Sequence, residues 1–236
     1  MLVLGIETST PQASVAIGSE QGVVASAMVS RGATYNEFLL PGLRFCLDEA
    51  GLDYRNVSGV CVGLGPGLYT GMRVGVATAK ALAQALSVPI VGLVSLDLVA
   101  YEVRYSHKAI CVALDARRNE VFHAFYRSSP GGIQRMTDYR VETPERLAVG
   151  ITSRPEEVLL VGNGALLYRD IFEVCGPVVE VGTMSHAWPD ARALVELTIP
   201  RMIREEFDSL YELKPLYLRK SAKPIQWERI RGSRSA

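Results

Sequence analysis

Histidine and cysteine are both scarce in this chain, three of one and four of the other among 236 residues. His107, His123 and His186 stand alone, with neither HxxxH nor HExxH spacing. A histidine-based metal centre is therefore not expected, and each imidazole reads as structural. Cys46, Cys61, Cys111 and Cys175 are widely separated and form no CxxC pair. That suggests neither a zinc site nor a disulfide framework and points to buried free thiols in a reducing compartment. Neither sign of charge is in excess, with 25 Lys+Arg against 25 Asp+Glu. A dedicated nucleic-acid binder draws its affinity from phosphate neutralisation, so any RNA contact is expected to be shared with a partner. No basic region precedes the first apolar stretch, which Glu7 interrupts, and no apolar run reaches the length of a bilayer. Neither a signal peptide nor a membrane partner is expected, and the cytoplasm is the expected location.

The apolar residues, 48% of the chain, fall into an ordered pattern. Three strand-like runs come first, at 2–6, 13–18 and 22–29, separated by turn-forming residues. A helix is predicted from about residue 36 to 50, closed by Gly51 and with Pro41-Gly42 inside it. A strand at 57–63, a helix at 71–86, a strand at 89–93 and a helix capped by Ser95 follow. Three meandering strands before any helix differ from the βαβ opening of a dinucleotide-binding fold. The order fits an α/β fold of the actin/hexokinase-like (ribonuclease-H-like) type. The second half restarts with a hairpin across Arg117-Arg118-Asn119 and a strand at 133–141. A helix then begins at Thr143-Pro144, with Pro at its tolerated first position, and a strand follows at 158–161. A long helix is predicted from about 189 to 207, with Ala193, Leu197, Pro200, Met202 and Ile203 as its packed face. The expected organisation is a first lobe over 1–106, a smaller one over 107–188, a helix and strand returning to the first lobe over 189–218, and a polar tail over 219–236.

The most specific segment runs Gly63-Leu64-Gly65-Pro66-Gly67-Leu68-Tyr69-Thr70-Gly71-Met72-Arg73, between a strand and a helix start. It is neither a Walker A loop nor GxGxxG. Its glycines suit a tight turn at least as well as a phosphate cradle. If a nucleotide binds, Gly65, Gly67, Thr70 and Arg73 are the residues expected to meet it. Along the next helix Gly71, Gly75, Ala79 and Ala83 recur every four residues as a smooth stripe. Such a stripe marks close backbone approach, from within the chain or from another one. In the preceding helix Leu39, Leu43, Cys46, Leu47 and Ala50 form one face, while Phe38 and Phe45 lie off it. Apolar residues on two sides call for two burial partners. Phe38, Phe45, Gly71, Gly75 and Ala79 are accordingly the expected partner interface. On that reading Gly75→Arg abolishes docking and leaves the lone chain folded. Glu7 and Asp115 close strands and could hold magnesium or act as a base. With no lysine, histidine or second acid beside Glu7, capping of the amides of its own turn is preferred. No catalytic residue and no metal ligand is assigned.

Five segments together resemble the TsaB (YeaZ) family: Leu4-Gly5-Ile6-Glu7-Thr8-Ser9, Gly65 through Arg73, Leu114-Asp115-Ala116-Arg117 with Glu120-Val121, Gly162-Asn163-Gly164-Ala165, and Pro215-Leu216-Tyr217-Leu218-Arg219. The resemblance implies a two-lobed fold and a heterodimer with the paralogous catalytic subunit TsaD, formed through the two helices of the first lobe. It also implies a transient complex with the ATPase TsaE, and action on tRNAs reading codons that start with adenine. The product implied is threonylcarbamoyladenosine beside the anticodon. TsaD-like chains carry an HxxxH pair for their metal, where this chain has Tyr35-Asn36-Glu37-Phe38. Glu7 and Asn163 depart from the acids common in the family at those positions. No cofactor is expected on this chain alone, and ATP or ADP is expected only at the interface of the complex. Two other readings stand beside this one. The first is an autonomous enzyme of the same fold, either a small-molecule kinase or metallopeptidase-like. The second is a homodimer through the same helices when no partner is present.

Overall fold

In the computed structural model, which describes residues 1–30 and 35–219, the first three apolar runs form an antiparallel meander of β1 (Val3–Glu7), β2 (Ala13–Ser19) and β3 (Gly22–Val29). β1 and β2 are rich in small and β-branched residues and are buried on both faces, whereas β3 alternates half-buried with exposed positions as an edge strand does. β4 (Gly59–Gly63) and β5 (Ile90–Leu93) add in parallel, giving the order β3-β2-β1-β4-β5. The second half repeats this plan. β6 (Ala109–Asp115), β7 (Val121–Ser129) and β8 (Gly132–Arg135) form a meander, and β10 (Val158–Val161) and β11 (Val179–Val181) extend β6 in parallel. A three-strand meander followed by two parallel strands, used twice, is the actin/hexokinase-type ribonuclease-H-like architecture expected from the element order. The polar tail expected over 219–236 lies outside the described residues beyond Arg219.

Helices cover both faces of the first sheet. α1 (Tyr35–Glu49) and α2 (Tyr69–Leu86) pack on one side, where Leu39, Leu43, Leu47, Val76 and Ala79 meet Leu4, Ile6, Val15 and Val62. α1 ends as its sequence indicates. Gly51 adopts φ +65, its N–H donates to Asp48 O, and Leu52 N–H donates to Leu47 O, which satisfies the last carbonyls. α7 (Ala191–Ile203) crosses the other face, where Leu194, Val195, Ile199 and Met202 meet Val3, Ala16 and Cys61. α3 (Ser95–Glu102) leads into the second lobe, and the Asp97 carboxylate accepts hydrogen bonds from the Tyr126 and Tyr139 hydroxyls there. In the second lobe, α4 (Pro144–Thr152), α5 (Asn163–Leu167) and α6 (Arg169–Glu173) lie on one face of the sheet. The Thr143 hydroxyl accepts from Arg146 N–H at the start of α4.

Three expectations need correction. The strand at 133–141 is two strands, because β8 pairs with 126–129 of β7 and β9 (Arg140–Glu142) pairs with 121–123. Between them the Thr137 hydroxyl replaces a ladder carbonyl by accepting from Phe125 N–H. α7 stops at Ile203, before Glu205 at φ +57, and its buried face omits Pro200 and Ile203, which are exposed. The strand expected after it is reduced to one bridge, Ile90 with Asp208.

α2 ends at Ser87, a non-glycine residue held in the left-handed region at φ 54. Ser87→Gly is expected to raise stability by about 0.5–1 kcal/mol, read as a higher midpoint in urea with an unchanged slope.

Candidate docking face and strand-end cluster

The end of β1 carries the one fully buried carboxylate among the described residues of the first lobe, and its bonds are all internal. Glu7 Oε1 accepts from Ser9 N–H at 2.6 Å, and Oε2 accepts from the Ser95 hydroxyl at 2.8 Å. The Ser95 oxygen also accepts from Gly65 N–H at 3.1 Å. Ser95 is thus not the helix cap expected from sequence. Val94 occupies that position, and the serine hydroxyl clamps the β1 end to the glycine-rich turn. Burial pushes the Glu7 carboxyl above its ordinary range, against the opposing pull of these hydrogen bonds. The capping role preferred for Glu7 is what this geometry provides. Nothing in the sequence marks Ser95 as its second partner, because 88 positions separate the two.

The glycine-rich turn closes over this cluster. Gly65 N–H is used by Ser95, and Leu68 N–H donates to Ser9 O at 2.6 Å. A Cβ on Gly67 would collide with Ser9 O, and one on Gly63 with the Glu7 carboxylate. Among the residues expected to meet a phosphate, Gly65 and Gly67 are therefore committed to internal packing. Thr70 and Arg73 are exposed on the outer side of α2.

The small-residue stripe faces inward, which corrects the expectation that Gly71, Gly75 and Ala79 form a docking surface. All three are buried. A Cβ at Gly71 would strike Thr8 O and one at Gly75 would strike Thr8 Oγ1. The Thr8 hydroxyl donates to Gly71 O at 2.8 Å, and the Tyr35 hydroxyl donates to Thr10 O at 2.9 Å. The close approach signalled by the glycines is between α2 and the chain's own β1. Phe38 is likewise half-buried, packed against the first core beside Gly42.

The outer faces of the same helices are open. Phe45 is 54% exposed and Leu40 is 52% exposed on α1, beside an Arg44–Asp48 ion pair. At the start of α2, Tyr69 is exposed, accepts from Arg73 Nη1 at 2.8 Å, and sits 5.6 Å from the ring of Tyr217. Phe45 alone of the five expected interface residues remains on a free surface. Leu40, Tyr69 and Tyr217 were not singled out from sequence. The signal for Leu40 is its offset from the Leu39–Leu43 face, whereas the Tyr217 contact is nonlocal.

The second lobe repeats the strand-end device. Asp115 Oδ1 accepts from Arg117 N–H at 2.8 Å, two residues on, as Glu7 does from Ser9. Asp115 N–H donates to Asn163 Oδ1 at 3.2 Å, and Asp115 Oδ2 lies 3.3 Å from Arg117 Nη1. Arg117, Arg118 and Asn119 all adopt positive φ, and Arg219 pairs with Glu120 just after them. Among the described residues no three His, Cys, Asp or Glu side chains gather as a metal site would need, and no helix is long and apolar enough to cross a membrane.

Comparison with known proteins agrees with this architecture. A profile of the family described as TsaD, tRNA N6-adenosine threonylcarbamoyltransferase, matches residues 21–227. The tRNA threonylcarbamoyladenosine biosynthesis protein TsaB of Bacillus subtilis is 28% identical over 229 residues, covering 96% of this chain and 98% of its own length. The Escherichia coli protein of the same name is 25% identical over 98% of this chain and 99% of its own. The solved structure of YeaZ from Pseudomonas aeruginosa superimposes with a TM-score of 0.80 at 28% identity, covering 92% of this chain and 99% of that one. The chain belongs to the TsaD family of tRNA N6-adenosine threonylcarbamoyltransferases, within its TsaB/YeaZ branch.

Proposed function

We propose that this chain is a non-catalytic subunit in the formation of threonylcarbamoyladenosine on tRNA, working in the cytoplasm by heterodimerising with a TsaD-type catalytic subunit. The modified base is the adenosine beside the anticodon of tRNAs reading codons that start with adenine. A TsaE-type ATPase joins transiently, tRNA is held by the complex as a whole, and ATP or ADP sits at the complex interface. The observation that carries this reading is the outer face of α1, where Leu40 and Phe45 lie open on a helix whose inner face is already filled. Tyr69 and Arg73 are exposed at the start of α2, and Arg73 has no carboxylate partner among the described residues. Aromatic and Arg side chains of this kind are what protein interfaces bury at their centres. The commitment of the Glu7 and Asp115 carboxylates to their own turns supports a contribution through surface rather than chemistry. Docking would then favour the competent arrangement of the partner, a shift of population and not a new reaction.

Phe45→Arg tests this directly. Size-exclusion and calorimetric titration against a TsaD-type partner should show affinity weakened by roughly 30-fold or more, the cost of losing a central aromatic anchor. The melting temperature of the lone variant should match that of the parent chain. Unchanged affinity would remove α1 from the interface.

A further inference from the structure

The break between β8 and β9 opens a cavity of about 130 Å³ against α4. His123, Phe125, Arg140, Glu142, Leu147 and Arg154 line it. His123 is only 4% exposed, and neither ring nitrogen has a hydrogen-bond partner among the described residues. A neutral imidazole offers one donor and one acceptor, and leaving both buried and unmet is costly. Glu142 Oε2 is 3.4 Å from Nε2 but lacks hydrogen-bond alignment. Burial holds the His123 pKa down and so favours the neutral ring, against the opposing pull of Glu142.

The rest of the lining sets the chemistry of an occupant. Arg154 stacks on the Phe125 ring at 3.8 Å, with Nη1 turned 3.3 Å from Glu156, which leaves other donors of its fork free. Arg140 reaches Glu142 only at 4.0 Å. The lining thus presents two guanidinium groups against one carboxylate, with Leu147 and Phe125 as apolar walls. Gly150 also lines the cavity, at its solvent-exposed rim. It lies inside α4, where glycine is unfavourable relative to alanine, and nothing stands within 4 Å of where its Cβ would be. An apolar cavity of roughly 150 Å³ accepts benzene, so this one admits about five or six non-hydrogen atoms.

We infer that the cavity binds a small hydroxylated monocarboxylate. Its carboxylate faces Arg140 and Arg154, its hydroxyl lies between His123 and Glu142, and its short aliphatic body rests on Leu147. This is independent of the docking face, which lies on the other lobe. Ordered water alone would satisfy His123 but would use neither the apolar wall nor the paired guanidinium groups.

The test is nitrogen-15 NMR of the full chain, in which only three imidazoles need to be told apart. Lactate, titrated at fixed pH and ionic strength, is expected to shift the His123 ring signals saturably while those of His107 and His186 stay in place. A Kd on the order of 1 mM suits so small a ligand. The neutral analogue 1,2-propanediol, which lacks the carboxylate, should bind about tenfold more weakly, and so should lactate to Arg154→Gln or Arg140→Gln. Gly150→Leu should fill the cavity and remove the response, while Gly150→Ala keeps it and controls for helix effects. Three results would overturn the inference: no saturable shift with lactate, an equal response to the diol, or undiminished binding in a folded Gly150→Leu chain. Should Gly150→Leu not fold, the Arg140→Gln comparison decides, since Arg140 is exposed.

Discussion

Gly75→Arg is expected to unfold the first lobe, not to produce a folded chain that has lost its partner. The Cβ alone would collide with Thr8 Oγ1, and the remaining side chain would enter a core already filled by Ile6 and Val76. Overpacking of this kind, with an unpaired charge added, exceeds the cost of an ordinary core substitution and should remove at least about 3–5 kcal/mol. Gly71→Val should behave alike, because there the obstruction is the backbone carbonyl of Thr8, which cannot rotate aside. The check is thermal unfolding followed by near-ultraviolet circular dichroism. A Gly75→Arg chain that melted cooperatively at the parent temperature would mean that α2 presents the opposite face.

The second large effect concerns Glu7. Glu7→Ala strands the Ser9 amide and leaves the Ser95 hydroxyl without its acceptor, at about 1–3 kcal/mol for each buried polar group, and opens a void besides. A loss of roughly 3–5 kcal/mol is expected in urea denaturation. Glu7→Gln, isosteric with the protonated acid, should keep most of the stability. The pH dependence follows from the direction of the shift. Because the folded state holds Glu7 above its ordinary value, the folded chain binds the proton more tightly than the unfolded chain does. Its contribution is full below the unfolded carboxylate pKa and declines as the pH rises through the folded one. Glu102, pushed up to about 8 by burial and then by the neighbouring Asp190, acts in the same sense. Stability should therefore fall between about pH 4.5 and pH 8, and a chain carrying both Glu7→Gln and Glu102→Gln should show a flatter profile. A profile rising through that interval would contradict the assignment.

The physical reason that some features were legible before others lies in how far each is encoded locally. The first lobe's strand order follows from runs that pattern themselves over a few residues. The end of α1 does too, since Gly51 supplies its own positive φ. The stripe on α2 shows where this stops. Periodicity marks Gly71, Gly75, Ala79 and Ala83 as one smooth side, but a smooth side looks the same whether the approaching backbone belongs to β1 or to another chain. The deciding signal was present on the opposite side, where Thr70, Arg73 and Gln84 are polar and exposed while Met72 and Val76 flank the stripe and are buried. Read as an amphipathic helix, α2 has its glycines at the centre of the apolar face. The hydroxyl of Ser95, the split of β8 from β9, and the meeting of Tyr69 with Tyr217 depend on partners distant in sequence. No local pattern carries them.

The α2 glycines and the Glu7 cluster thus secure the scaffold, while the side chains left over on the outer helix surface are available to another protein. Leu40 and Phe45 can change without touching the core, unlike Gly75, which makes the two kinds of substitution separable in one assay. That assay is threonylcarbamoyl transfer to tRNA by a TsaD-type subunit with its ATPase, measured with and without this chain. The chain alone should transfer nothing, its addition should raise the partner's rate, and Phe45→Arg should lose that gain while remaining folded. Turnover by the isolated chain, or full stimulation by folded Phe45→Arg, would contradict the account.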